Sequence, residues 1–197
     1  MINKLSAYLT NVMINKKIIE PDEFELYHYG LFVTITEAWL MIFCILAGII
    51  FNVILQSIVF FIMFFLVHRF AGGFHAKTEW QCQIITLSTF FLCIAGIKYE
   101  TNINMIYMIV VYIVCCVVII ILSPADTPQK PLSKAEKMKF KKITAVIVLI
   151  CSVIAALFLL NSKTVTFAYA IINGMMLQTV SVIFGRLLNQ KVLSEKQ

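Results

Sequence analysis

Charge is distributed along the chain in a way that reads as architecture. Five stretches, 38–68, 80–97, 101–125, 143–162 and 164–185, contain no Asp, Glu, Lys or Arg. The last four are each close to the length of about 20 residues that carries an α-helix across a hydrocarbon core. The first, extended back through Leu31 to take in Glu37, is about 37 residues, or roughly 55 Å as one helix against a core of roughly 30 Å. It is therefore expected to fold back as two crossings, Leu31 to Ile50 and a shorter Val53 to Val67, with Gly48 and Asn52 as turn residues. Six crossings result. Ahead of them Ile2, Leu5, Leu9, Val12 and Met13 recur at helical spacing, with Lys4, Asn11 and Asn15 on other faces. That pattern predicts an amphipathic interfacial helix within region 1–28. Glu20-Pro21-Asp22-Glu23 then supplies the proline and acids of a helix start.

Composition narrows the class. Of 197 residues 61% are hydrophobic and 13% charged, and the mean hydropathy is +0.93; an ordinary soluble domain is about 25% charged. The expectation is one all-α, polytopic integral membrane domain over 1–197, with no room for a large soluble domain. A net charge of +6 could also suit nucleic acid, but the positive residues lie in short blocks between the apolar stretches. With the N-terminus inside, only Lys98 and Lys163 of the 16 lysines and arginines fall outside. Both termini and the loops 68–79 and 123–142 are then cytoplasmic, and the charge is explained by topology and anionic lipid. The polar start offers no compact apolar core before a small-residue cleavage site, so a cleaved secretory signal is not expected.

Five of the six cysteines, Cys44, Cys93, Cys115, Cys116 and Cys151, fall inside predicted spans and read as small apolar residues. Cys82 differs. It follows a polar, glycine-bearing insertion, HRFAGGFHAKTEWQC over 68–82, that holds two of the three histidines. Thr78-Glu79-Trp80-Gln81 fits a capping box, which makes Thr78 the N-cap and puts Cys82 near the first helical turn. Free amides, the helix dipole, Lys77 and a protonated His75 would all favour the thiolate there. On one continuous helix His75 and Cys82 would lie roughly 10.5 Å apart along the axis, too far for proton transfer. A catalytic pair therefore requires the chain to break at Gly72-Gly73 and the Thr78 cap, folding His75 back as general base and then general acid. Without a partner the two residues are simply interfacial, the reading that suits His28 and His68. A metal centre of His68, His75 and Cys82 matches no zinc spacing, and no cofactor is implied.

Two further features carry chemistry. The loop Ser123-Pro124-Ala125-Asp126-Thr127-Pro128-Gln129-Lys130-Pro131 precedes a lysine-rich segment. It serves topology, or it forms a rim of the site where Asp126 or Gln129 orients His75 and Lys130 attracts an acidic substrate; the sequence does not join the two loops. Glu37 is the formal charge deep in a predicted span, and is costly there unless paired or facing water. Asn173, Gly174, Gln178, Ser181 and Gly185 suit the last span to close helix packing, including contact between two copies in a homodimer.

At HRFAGGFHAKTEWQC, followed by SPADTPQKPL and the lysines, the chain closely resembles the accessory gene regulator protein B (AgrB) family of Gram-positive bacteria, over nearly its whole length. The resemblance implies a cell-membrane cysteine endopeptidase that processes the AgrD precursor of a cyclic quorum-sensing peptide. His75 and Cys82 match the catalytic positions, and Arg69 and Gly73 match other motif positions. His68 stands where the family often has a second basic residue. On that resemblance Cys82 releases the precursor's C-terminal tail, keeps the rest as a thioester, and yields it to an internal thiol or hydroxyl that closes a thiolactone or lactone. Two competing readings remain open. One is a non-enzymatic transporter lined by Glu37 and the last span; the other is a cysteine protease or acyltransferase of different specificity.

Overall fold

A computed structural model describes residues 2–74, 78–99, 104–125 and 132–194, with the side chains of Glu79 and 189–194 left aside. Among the described residues the chain is helical throughout: α1 (Ile2–Asn15), a short 3-10 turn (Pro21–Glu23), α2 (Phe24–Phe51), α3 (Ile54–Ala71), α4 (Glu79–Tyr99), α5 (Met105–Leu122), α6 (Lys134–Leu159) and α7 (Val165–Ser194). The last six are long and apolar enough to cross a membrane. The all-α, six-span architecture is thus the observed one. Contacts divide the chain into two compact units, 1–43 and 44–197.

In the first unit α1 leaves Leu5 and Tyr8 exposed and buries Ser6 and Thr10. Their hydroxyls donate back to the Asn3 and Ser6 carbonyls at 2.9 Å each. The two buried hydroxyls are thus satisfied within the helix, while Asn3, Lys4 and Asn11 are exposed along with Leu5 and Tyr8. The 3-10 turn carries a reciprocal cap between Glu20 and Glu23, which gives the Glu-Pro-Asp-Glu run its role as a helix start. Glu37 lies midway along α2, partly buried.

The long first stretch does fold back, and at the expected place. Asn52 takes φ 58°, its amide donates to Ile49 O at 3.2 Å, and the Val53 amide donates to Gly48 O at 2.8 Å. This pair of bonds is a Schellman ending for α2. Gly48 has a second use: a Cβ there would meet the Ser57 hydroxyl and lie 2.9 Å from the Ile54 Cα.

In the second unit α7 is the central element, packed by α3, α4, α5 and α6. The residues from Ala168 to Met175 are almost all buried. Its core neighbours include Val67, Tyr112, Ile119, Val148 and Cys151, while Phe60, Phe64 and Phe90 interlock α3 with α4 edge to face. α3 and α7 run parallel and in register: Gln56 Nε2 donates to Thr166 Oγ1 at 3.1 Å, and His68 meets Gln178 at 3.0 Å, both pairs 110 residues apart. The C-terminal end of α3 therefore lies beside α7 near Ser181, from which α7 runs on to Ser194.

Candidate functional site

The helix of α3 continues four residues past its expected end at Val67. His68, Arg69, Phe70 and Ala71 remain helical because His68 is satisfied inside the bundle. Its ring stacks on Phe64 with centroids 5.1 Å apart, and its Nδ1 lies 3.0 Å from Gln178 Oε1. The Gln178 Nε2 donates to the Gly72 carbonyl at 2.8 Å, so the amide oxygen faces the histidine. An amide oxygen only accepts, which puts the proton of the neutral ring on Nδ1.

Helix α3 stops at Gly72, whose φ of 69° and ψ of −171° belong to a region that is essentially glycine's alone. The turn that follows is held on every side the structure describes. The Phe74 amide donates to Ser181 Oγ at 3.1 Å. A Cβ on Gly73 would meet the Ser181 hydroxyl and come within 2.6 Å of the His68 ring. From the same helix a Cβ on Gly185 would fall 2.5 Å from the Gly73 carbonyl carbon and oxygen. Gln178, Ser181 and Gly185 sit at i, i+3 and i+7, one face of α7, and that face cradles Gly72-Gly73-Phe74.

The same turn joins the two informative loops, which the sequence leaves apart. The Ala125 amide donates to Ala71 O at 2.8 Å, and the Ala125 carbonyl packs where a Gly72 side chain would stand. Nearby, Arg186 Nη1 donates to Leu122 O at 2.9 Å, placing a cation at the negative end of α5. The proline-bearing segment thus begins against the end of α3.

Helix α4 begins as its sequence predicts. Gln81 N donates to Thr78 Oγ1 at 3.3 Å and Cys82 N to Thr78 O at 3.1 Å, so Thr78 is the N-cap. Cys82 lies at the end of the first turn, partly exposed. Trp80 beside it is exposed, as suits an aromatic at the membrane surface. The other cysteines are free thiols within the spans: Cys44, Cys115 and Cys151 buried, Cys93 and Cys116 partly so. Cys82 is therefore set apart by position as well as by sequence. Covalent geometry keeps Phe74 within about 14 Å of Thr78, so the cradled turn and the capped helix start are neighbours along a short tether.

His75 lies outside the described residues, as do Lys77, Asp126, Gln129 and Lys130. Arg69 is exposed in the last turn of α3, and Gly73 is buried in the cradle. Glu37 belongs to the first unit. Among the described residues no three metal-ligating side chains gather; a set that includes His75 is not among them. His68, Gln178, Ser181 and Gly185 are the site-forming residues whose roles the sequence reading did not identify. The signal was present as the helical stripe of small and polar residues in the last span, read there as generic packing.

Comparison with known proteins agrees with this layout. A family profile described as AgrB, accessory gene regulator B, matches residues 3–182. A putative AgrB-like protein of Clostridium perfringens (strain SM101 / Type A) is 24% identical over 148 residues, covering 72% of this chain and 69% of that protein. Accessory gene regulator protein B of Staphylococcus carnosus (strain TM300) is 31% identical over 101 residues, 51% of this chain and 52% of that one. The protein of the same name from Staphylococcus aureus (strain Newman) is 28% identical over 99 residues, covering 50% and 51%. No solved structure matches the chain. Six membrane-length helices and a family match that takes in Gly72-Gly73-Phe74, Cys82, Gln178 and Ser181 lead to one conclusion: the chain belongs to the accessory gene regulator B (AgrB) family.

Proposed function

We propose that this protein is a cysteine endopeptidase of the cell membrane of a Gram-positive bacterium, which trims an AgrD-like precursor and releases a cyclic quorum-sensing peptide. The observation that carries the reading is Cys82: a partly exposed thiol in the capped first turn of α4, at the end of its span, whereas the other five thiols lie deeper within theirs. Membership of the AgrB family supplies the substrate class. His75, seven residues before Cys82 in the sequence, is the partner base, and both act on the cytoplasmic side, where thiols stay reduced.

The chemistry follows from a thiolate held at a helix N-terminus. His75 takes the Cys82 proton, and Sγ attacks the carbonyl carbon ahead of the precursor's acidic C-terminal tail. The tetrahedral intermediate collapses with loss of the C–N bond, and His75 returns the proton to the leaving amine. The rest of the precursor is then a thioester on Cys82. A cysteine thiol or serine hydroxyl within it gives its proton to the now neutral His75 and attacks the same carbonyl, the C–S bond breaks, and Cys82 leaves as thiolate while a thiolactone or lactone closes. Thiol-to-thioester exchange is close to isoenergetic, so ring closure depends on excluding water and on proximity of the internal nucleophile. Lysines 130 to 142 offer positive charge to the acidic tail, and Asp126 or Gln129 is a candidate to orient His75. Arg69 and Gly73 serve the shape of the catalytic turn. An amphipathic leader on the precursor would lie on the same leaflet.

The test is co-expression with the small peptide encoded beside the gene, with tail release followed by mass spectrometry. At matched membrane levels, Cys82→Ala and His75→Ala should each abolish cleavage and any covalent enzyme–peptide adduct. Undiminished cleavage by the Cys82→Ala protein would sink the mechanism.

A further inference from the structure

We infer that Gln178 and Ser181 of α7 are positioning residues for the His75/Cys82 reaction: they fix the backbone turn from which His75 emerges. The inference rests on the cysteine-peptidase reading above and names how that site is held. Gln178 is fully buried in the most enclosed helix of the bundle. A buried amide costs free energy unless its donors and acceptor are used. Here the oxygen faces His68 and the nitrogen donates to the Gly72 carbonyl. Three residues on, the Ser181 hydroxyl accepts from the Phe74 amide.

Two groups flanking Gly73, a carbonyl before it and an amide after it, are thus fixed to one face of one helix. Gly185, on that same face, packs against the Gly73 carbonyl. With a planar peptide on either side of Gly73, these bonds fix where and in which direction the chain enters Phe74, one residue before His75. Helix packing alone would not require this. Gly174 on the same face simply packs beside α3, where an added Cβ would meet the Phe60 carbonyl and the Phe64 amide at 3.4 and 3.5 Å, and apolar or small residues would serve as well at 178 and 181. Hydrogen bonds to the backbone of a turn secure an orientation, and proton transfer between His75 and Cys82 depends on orientation.

The experiment uses the full-length protein in lipid nanodiscs with a synthetic precursor, comparing Gln178→Met, Ser181→Ala, His75→Ala and, as a lipid-facing change on the same helix, Met176→Ala. Two quantities are read: kcat and KM for tail release, and the rate of Cys82 alkylation by iodoacetamide at neutral pH, followed by peptide mapping. Gln178→Met and Ser181→Ala should lower kcat by about 10- to 100-fold with KM within about twofold. Both should slow Cys82 alkylation toward the His75→Ala rate, while Met176→Ala stays at the wild-type values. Wild-type kcat and alkylation in both variants would overturn the inference and leave the His75/Cys82 reading standing. A parallel loss of kcat, binding and membrane yield would also overturn it, since that is the signature of a packing defect. If His75→Ala itself keeps wild-type cleavage and alkylation, the underlying reading fails and the inference with it. Ser181→Ala removes one oxygen atom, so the test survives even if Gln178→Met does not fold.

Discussion

Helices α5 and α7 lie side by side and obey opposite rules. α5 is the most apolar of the six spans, yet only 17% of its most apolar 18 residues are buried in the protein; α7 is among the less apolar, and 61% of the corresponding 18 residues are buried. In water this ranking would be reversed. In a bilayer the lipid tails are as apolar as leucine, so hydrophobicity gives one helix no preference for another. Small residues that permit close approach and polar groups that find partners decide which helix goes to the centre. The lesson is that α5 is a lipid-facing wall, and that the end of the molecule carrying the Gly72-Gly73 turn is organised by α7.

The comparison breaks most visibly at Gly185. A valine there would place carbon 2.5 Å or less from the Gly73 backbone, and the turn before His75 cannot move without losing its bonds to Gln178 and Ser181. Gly185→Val is expected to reduce tail release by about 100-fold or more. The matching change on α5, Val114→Leu at a side chain 55% exposed, is expected to leave it at wild type. Equal losses in the two variants, measured by mass spectrometry at matched membrane levels, would remove the distinction between the helices.

Gly174 sharpens the same contrast in terms of stability. Its Cβ would lie 3.4 Å from the Phe60 carbonyl and 3.5 Å from the Phe64 amide, ordinary contact distances, so Gly174→Ala should be within about 0.5 kcal/mol of wild type. Gly174→Leu must force α3 away and should cost about 1 to 3 kcal/mol. Unfolding midpoints in detergent would check the pair, and a neutral leucine would mean that α3 and α7 are not packed this closely. Next in size is Asn173, whose Nδ2 donates to the Cys93 carbonyl of α4 at 3.1 Å. Interhelical bonds of this kind are worth about 0.6 kcal/mol on average and up to about 1.7. Asn173→Leu should lose that much, visible as a lower midpoint with the activity kept.

How far the sequence revealed this molecule depends on which physical rule was in force. The spans and the hairpin at Asn52 were legible because membrane thickness limits helix length and because a residue with φ 58° suits asparagine. The start of α4 was legible because Thr78 and Gln81 follow capping chemistry. The same rule, applied at Ser133 and Glu136, would have found the start of α6: their reciprocal cap opens the helix at Lys134, well before the apolar stretch at 143. The centrality of α7 was not legible from hydropathy, which registers lipid contact more than burial. Nor was the fate of His68, since a histidine at a span end looks interfacial until Gln178, 110 residues away, is seen to meet it. The joining of the two loops through Ala71 and Ala125 is a backbone contact, and backbone contacts leave no side-chain signature in sequence.

The finest test compares the two ends of the α3–α7 pair, which share one register. At the far end Gln56 donates to Thr166, a partly buried bond between side chains. At the site end Gln178 donates to the carbonyl of a turn. Gln56→Leu removes a bond of similar length and chemistry from the same two helices, but no backbone leading to His75 depends on it. It should lower stability by less than about 1 kcal/mol and leave kcat for tail release within about twofold of wild type. Equal damage to kcat from Gln56→Leu and Gln178→Met would mean that the register of the pair as a whole sets the site. A kinetic effect confined to Gln178 would locate that control in the amide that holds the turn, and would make the parallel pair a lever with only one working end.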